Sequence, residues 1–147
     1  MDITLRLSTE DDFDFLFNVT TIAMKNTRLL LASKYYASEE ERLEYFKQSF
    51  KPSQNQIIIY NNIDVGRLRV EKLLDHFHIG TLEILPEYQS KGIGSAIINL
   101  VIEDAQMINY PVYLEVHKVN IRAYQLYQKL GFKTEQITPF HYIMVHG

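Results

Sequence analysis

Thr81-Leu82-Glu83-Ile84-Leu85-Pro86-Glu87-Tyr88-Gln89-Ser90-Lys91-Gly92-Ile93-Gly94-Ser95 is the stretch from which the fold is read. Thr81–Leu85 predicts a short buried strand, stopped by Pro86, which has no N–H to give to a sheet ladder. From Ile93 to Ala105 the period turns helical. Ile93, Ile97, Leu100 and Val101 share one face, with Ala96 and Ala105 beside it, and Asn99, Glu103 and Gln106 lie on another. A strand, a glycine-containing turn and a helix in succession make an anion site. The first N–H groups of the helix are unsatisfied and its dipole favours negative charge there. Gly92 and Gly94 let a phosphate approach the backbone with no Cβ in the way. In outline this is a pyrophosphate cradle.

Two familiar cradles do not fit. The dinucleotide fingerprint needs a third glycine where Ile97 stands, and the Walker loop needs its lysine after the last glycine, whereas Lys91 precedes Gly92. A bare pair of glycines at a helix start is also compatible with an ordinary flexible N-terminus, or with another nucleotide-binding α/β domain. Downstream, Val112-Tyr113-Leu114-Glu115-Val116-His117 alternates as a strand, with Tyr113, Glu115 and His117 opposite Val112, Leu114 and Val116. It is followed by Asn120-Ile121-Arg122-Ala123-Tyr124-Gln125-Leu126-Tyr127-Gln128-Lys129-Leu130-Gly131-Phe132. This predicts a helix over Asn120–Leu130 with Gly131 as its left-handed stop.

Together, Gln-x-x-Gly-x-Gly after Pro-Glu-Tyr and Asn-x-x-Ala-x-x-x-Tyr-x-x-x-Gly-Phe resemble the two motifs of the GNAT superfamily of acetyl-CoA-dependent N-acetyltransferases. The resemblance is close over Ile79–Phe132. It implies a mixed α/β fold whose central sheet has splayed parallel strands and flanking helices, and direct transfer of acetyl from acetyl-CoA to a primary amine. It also implies roles. The backbone of Leu82, Glu83 and Ile84 would pair with the pantetheine arm and hold the thioester carbonyl. Gln89, Ser90, Lys91, Gly92, Ile93, Gly94 and Ser95 would bind the pyrophosphate. Asn120 would contact the cofactor arm, and Tyr127 would protonate the leaving thiolate. Where the family often has arginine this chain has Gln89, with Lys91 as a substitute cation. The rival from another class is a non-catalytic acyl-CoA-binding module.

The chemistry needs a proton acceptor. An amine with a lysine-like pKa of about 10.4 costs roughly 4–5 kcal/mol to deprotonate at pH 7. A carboxylate, directly or through water, can take that proton, and a backbone N–H can stabilise the tetrahedral oxyanion. Glu115 is the first candidate: Leu-Glu-Val-His resembles the N-terminal alanine acetyltransferases of ribosomal proteins, where this Glu is the base. Lys118-Val119 departs from that pattern, so their substrate is not carried over. Glu83 is the second candidate, its facing dependent on whether a bulge alters the strand's parity. The ordinary alternative for each is a solvated or salt-bridged strand residue, and for Tyr127 a core tyrosine on the stripe of Ala123, Leu126 and Leu130. His76 and His78 could share a metal, although two histidines without a third ligand are usually surface residues, and we expect no metal. His141-Tyr142, Tyr35 and Tyr36 could line an acceptor pocket or simply pack.

Upstream, Ile3–Leu7 alternates as a strand. Thr9 is an N-cap with Glu10, Asp11 and Asp12 in the first turn, ahead of a helix with Phe13, Leu16, Phe17 and Thr20 inward to about Met24. Asn26–Ala37 is irregular. Ser38-Glu39-Glu40-Glu41 is a capping box for a second helix with Leu43, Phe46 and Phe50 inward. Gln56–Tyr60 and Ile63–Val70 are strands joined at Asn61-Asn62, and Phe132–Ile137 and His141–Val145 are closing strands. The resulting order is β-α-α-β-β-β-α-β-α-β-β. At 147 residues the chain is expected to be one domain, 1–147. Its 46% hydrophobic and 22% charged residues exclude disorder, and a net charge of −3 argues against nucleic-acid binding. With no cysteine, disulfides, thiolate metal sites and a covalent cysteine intermediate are excluded, which fits a cytoplasmic protein. No apolar run suggests a membrane span or a signal peptide. The expected partners are acetyl-CoA, a small amine or peptide, and a second copy of the chain, since dimers are common in the family.

Overall fold

Among the residues described by the computed structural model, 2–28 and 38–147, the elements follow the order expected. They are β1 (Ile3–Leu7), α1 (Phe13–Arg28), α2 (Glu39–Ser49), β2 (Gln56–Tyr60), β3 (Ile63–Lys72) and β4 (Phe77–Ile84). Then come α3 (Ile93–Gln106), β5 (Val112–His117), α4 (Ile121–Lys129), β6 (Lys133–Ile137) and β7 (His141–His146). The seven strands form one mixed sheet in the order β1-β2-β3-β4-β5-β7-β6. Tyr35 and Tyr36, the candidate pocket residues, and most of the irregular Asn26–Ala37 stretch lie outside the described residues. The first helix runs past Met24 to Arg28. The chain divides into two compact units, Met1–Leu68 with Glu83–Tyr88, and Arg69–Leu82 with Gln89–Gly147.

In the first unit β1, β2 and β3 are antiparallel neighbours. The β2–β3 turn places Asn61 at φ 49° and Asn62 at φ 68°, the doubly left-handed turn that matches strand twist. Ile58 faces Gly66 and Ile59 faces Asp64, so Val65 is an extra residue on β3, a bulge that re-aims the residues after it. Leu16, Phe46 and Ile57 are buried together, with Phe13, Phe15, Phe17, Phe50 and Ile59 packed around them. Phe13 meets Phe46 edge-on at 5.3 Å and Phe50 at 5.4 Å; such pairs add about 0.5–1.5 kcal/mol beyond area burial. Ser38 Oγ accepts from the Glu41 N–H at 3.2 Å, the N-cap half of the expected capping box.

Two expectations need correction here. Glu10–Asp12 form a separate 3-10 turn, and Asp12 is buried. Its carboxylate takes both prongs of the Arg6 guanidinium, at 2.8 and 2.9 Å, and holds the Thr9 N–H at 2.8 Å. That pairing pulls Arg6 inward while Leu7 is 58% exposed, so β1 does not alternate cleanly.

In the second unit, α3 buries Ile93, Ile97, Ile98, Val101, Ile102 and Ala105 and packs on β5. The buried arc is centred on the Ile98 and Ala105 side, so Leu100, expected inward, is 39% exposed. β4 and β5 are parallel, but their ladder covers only Phe77–Ile79 against Val112–Leu114. Beyond it Gly80–Leu82 and Glu115–His117 part, which is the expected splay. It also explains why Thr81–Ile84, read as buried from the sequence, is only half-buried. On its other side β5 pairs along its whole length with β7, from Val112 opposite His146 to His117 opposite His141.

Candidate active site

The Gln89–Ser95 loop and the start of α3 are in the second unit. Ser90 (φ 61°) and Gly92 (φ 84°) both take left-handed backbone, and Gly92 is the N-cap of α3. As glycine, the N-cap residue offers no side-chain acceptor to the first N–H groups of α3. A non-glycine residue in left-handed backbone needs support. Ser90 has it: Arg122 Nη2, on α4, donates to its Oγ at 3.0 Å. Arg122 thus brings a guanidinium to the loop whose family arginine is replaced by Gln89. Sequence reasoning nominated only Lys91, because the Arg122 contact joins residues 32 apart. The two motifs, loop and α4, are brought together by this hydrogen bond.

Asn120 is the N-cap of α4, its Oδ1 accepting from the Ala123 N–H at 3.4 Å. Further along α4, Tyr127 lies with its ring 6.0 Å from that of Phe132, tilted. Burial pushes its phenol above the ordinary tyrosine range, which keeps the hydroxyl protonated near neutrality. A neutral phenol is a proton donor, the form a departing thiolate requires. Tyr127→Phe removes only the hydroxyl and keeps the ring. Steady-state kinetics should show kcat falling at least about tenfold with the KM for acetyl-CoA nearly unchanged, the pattern of an interaction made in the transition state. A wild-type kcat would reduce Tyr127 to a packing residue.

Glu115 stands on β5 opposite Ile143 and is exposed. Its neighbour on the same face, His117, is more constrained. Val119 N–H donates to its Nδ1 at 3.2 Å, which places the ring proton on Nε2. Burial first, and then the charge of His141 at a ring distance of 5.0 Å, hold His117 below the usual imidazole range. Tyr142 packs on Tyr124 at 4.3 Å. His76 contacts Asp75 and His78 approaches Glu71, and no cluster of three or more potential metal ligands occurs among the described residues.

Glu83 and Ile84 belong to the first unit, where Glu83 is held in a polar network. Thr20 Oγ1 on α1 donates to Glu83 Oε1 at 2.9 Å, and Arg67 Nη1 on β3 stands 3.6 Å from the same oxygen. Arg67 Nη1 also donates to Thr20 Oγ1 at 2.6 Å, and its Nε to Asn55 Oδ1 at 2.8 Å. The Glu83 side chain is 17% exposed. Burial raises its pKa above the usual carboxylate range, against the opposing pull of Arg67 and of the Thr20 hydrogen bond. Gly66 makes this geometry accessible: a Cβ there would stand 2.4 Å from the Glu83 carbonyl oxygen.

The acetyltransferase (GNAT) family matches residues 24–132, and the chain belongs to that family. It is accordingly an acetyl-CoA-dependent N-acetyltransferase, transferring an acetyl group to an amine. A curated relative, an N-alpha-acetyltransferase of Saccharolobus solfataricus, is 26% identical over 96% of this chain and 86% of its own. Among solved structures, the PaiA N-acetyltransferase of Thermoplasma acidophilum, in complex with coenzyme A, is similar at a TM-score of 0.77. It is 20% identical and covers 99% of both chains. Naa50 of Arabidopsis thaliana, in complex with the bisubstrate analogue CoA-Ac-MVNAL, has a TM-score of 0.68 at 23% identity, covering 100% of this chain and 99% of its own.

Proposed function

We propose that the acceptor is the α-amino group of a peptide or protein N-terminus, and that Glu83 takes its proton. The observation that carries the acceptor class is the near full-length similarity to an enzyme named for N-alpha-acetylation. The chemistry agrees. An α-amine has a pKa of about 7.7–8.0, so reaching the free base at pH 7 costs roughly 1 kcal/mol, against 4–5 for a lysine-like amine. A single weakly basic carboxylate suffices for that task. Glu83 is the buried, hydrogen-bonded carboxylate of the two candidates, whereas Glu115 is exposed.

In this reading the N–H groups of Gly92, Ile93 and Gly94 bind the pyrophosphate, with Arg122 and Lys91 supplying positive charge. The half-buried backbone of Leu82, Glu83 and Ile84 pairs with the pantetheine arm, Asn120 touches that arm, and Tyr127 protonates the thiolate of CoA. The family match runs from residue 24 to 132 and so includes parts of both compact units, which supports one acetyltransferase domain over 1–147. A cytoplasmic location, supported by the absence of cysteine, and a homodimer, common in the family, complete the reading. Sedimentation velocity tests the dimer.

The test is thiol release from acetyl-CoA across a panel of free-amine peptides, lysine-side-chain peptides with blocked N-termini, and small mono- and polyamines. A chain without cysteine contributes no thiol background of its own. The expected result is a kcat/KM at least about tenfold higher for the α-amino peptides, the advantage that a lower amine pKa provides at neutral pH. A preference for small polyamines or for lysine side chains would overturn the acceptor class and leave the family assignment intact.

A further inference from the structure

The network around Glu83 is asymmetric, and the asymmetry assigns a role to a residue that touches neither substrate nor cofactor in the reading above. Both described contacts of the carboxylate fall on one oxygen: Thr20 Oγ1 and Arg67 Nη1 each approach Oε1. Thr20 has a single hydroxyl proton. Because Arg67 donates to Thr20 Oγ1, that oxygen acts there as acceptor and its proton is directed to Glu83. Arg67 is in turn fixed: Asn55 Oδ1 accepts from its Nε, and the Phe46 ring lies 5.6 Å from the guanidinium carbon.

We propose that Arg67, acting through Thr20, is a positioning residue for the transfer reaction: it occupies Glu83 Oε1 and leaves Oε2 as the oxygen that accepts the amine proton. This rests on Glu83 being the base. In the step, the amine nitrogen gives its proton to Oε2 and its lone pair forms the bond to the acetyl carbonyl carbon. The C–S bond then breaks and the sulfur takes the Tyr127 proton. The second nitrogen proton re-protonates the Tyr127 phenolate and Glu83 gives its proton to solvent, so charge and protons balance without any further reactant.

The groups facing Glu83 can be named element by element. From β3 it is Arg67, and from α1 it is Thr20. These are the groups against the carboxylate among the described residues; from α2, Phe46 lies under the Arg67 guanidinium, and Arg42 donates through Nη2 to Thr21 Oγ1 at 2.8 Å. Arginine suits this place because it never loses its charge, so the support does not titrate with the base it supports. An opposite charge within about 4–6 Å lowers a carboxylate pKa by roughly 1–3 units. Without Arg67 only the Thr20 hydrogen bond would oppose burial, and the carboxylate would ionise at higher pH.

The test compares the wild type with Arg67→Met, Arg67→Lys and Glu83→Gln. The Glu83 side-chain carboxyl is titrated by carbon-13 NMR in free enzyme, its signal assigned by its loss in Glu83→Gln, so this readout needs no substrate. In parallel, kcat/KM is followed against pH with the best amine of the panel. In Arg67→Met the Glu83 midpoint should rise by about one unit or more, and the acid limb of kcat/KM should move with it. The KM for acetyl-CoA should hold, and Arg67→Lys should return most of the shift. An unmoved midpoint, with Glu83→Gln inactive, would overturn the Arg67 role and leave Glu83 as base. A midpoint that moves while the acid limb stays, or an active Glu83→Gln, would overturn the base assignment and this proposal with it. Should Arg67→Met fail to fold, Thr20→Val replaces it, with the same two readouts and the same deciding outcomes.

Discussion

Gly92→Glu should leave no CoA binding measurable by calorimetry while the protein still unfolds cooperatively within a few degrees of wild type. Gly92 sits at φ 84° as the N-cap of α3, where a residue with a Cβ meets left-handed strain of about 1–2 kcal/mol. A carboxylate at a helix N-terminus recovers about 0.3–1 kcal/mol from the dipole, so the net effect on stability is small. The effect on binding is not small, because the new carboxylate occupies the place and takes the charge complement meant for a pyrophosphate. Gly92→Ala separates the two contributions: it carries the same backbone strain without the charge, and should weaken CoA far less than the glutamate does. Unchanged CoA affinity in Gly92→Glu would refute the assignment of the loop. Equal losses in both variants would show that backbone shape alone, and not anion competition, governs the site.

The parts of this protein legible in its sequence are those whose physics is local. Gln89–Gly94 and Asn120–Phe132 are each a turn or cap with a helix attached, and both appear where expected, with Gly131 at φ 98°, although Asn120, counted into the helix from the sequence, is its N-cap. The Asn61-Asn62 turn likewise needs only residues that tolerate positive φ. What sequence spacing could not supply is contact across the chain. Periodicity makes Thr20 one more inward position of α1, and only the fold shows its hydroxyl set between Arg67 and Glu83, 47 and 63 residues away. The Leu85 N–H to Val65 carbonyl bond, 2.9 Å, fixes the β3–β4 register so that Arg67 stands opposite Glu83. Opposite charges across a hairpin are a usable signal, but only once that register is known. The outward position of Leu100 on α3 has a related cause. A helix with apolar residues on much of its circumference leaves the direction of the core to its neighbours.

The largest loss of turnover should follow Glu83→Gln, with Glu115→Gln close to wild type. Glutamine keeps the shape of Glu83 and can still accept from Thr20, but it cannot take a proton. Activity near neutrality should therefore fall by about the 10²–10⁴-fold typical of losing a general base, with CoA affinity retained. The pH dependence has a definite sign. Because burial raises the Glu83 pKa in the folded protein, the stability linked to this group is fullest at low pH and declines as pH rises through the raised value. Activity runs the other way, switching on as Glu83 ionises, so the acid limb of kcat/KM should lie above the usual carboxylate range. In Glu83→Gln that limb should disappear, leaving only the ionisation of the amine, and high pH should recover part of the rate because free amine is then abundant. Glu115→Gln distinguishes the rival on β5. If it loses activity in this pattern while Glu83→Gln keeps it, the base is Glu115, and Arg67, Thr20 and Glu83 form a structural ion-pair network. If both variants retain activity, the amine is captured already neutral or is deprotonated through water, and neither carboxylate is the base.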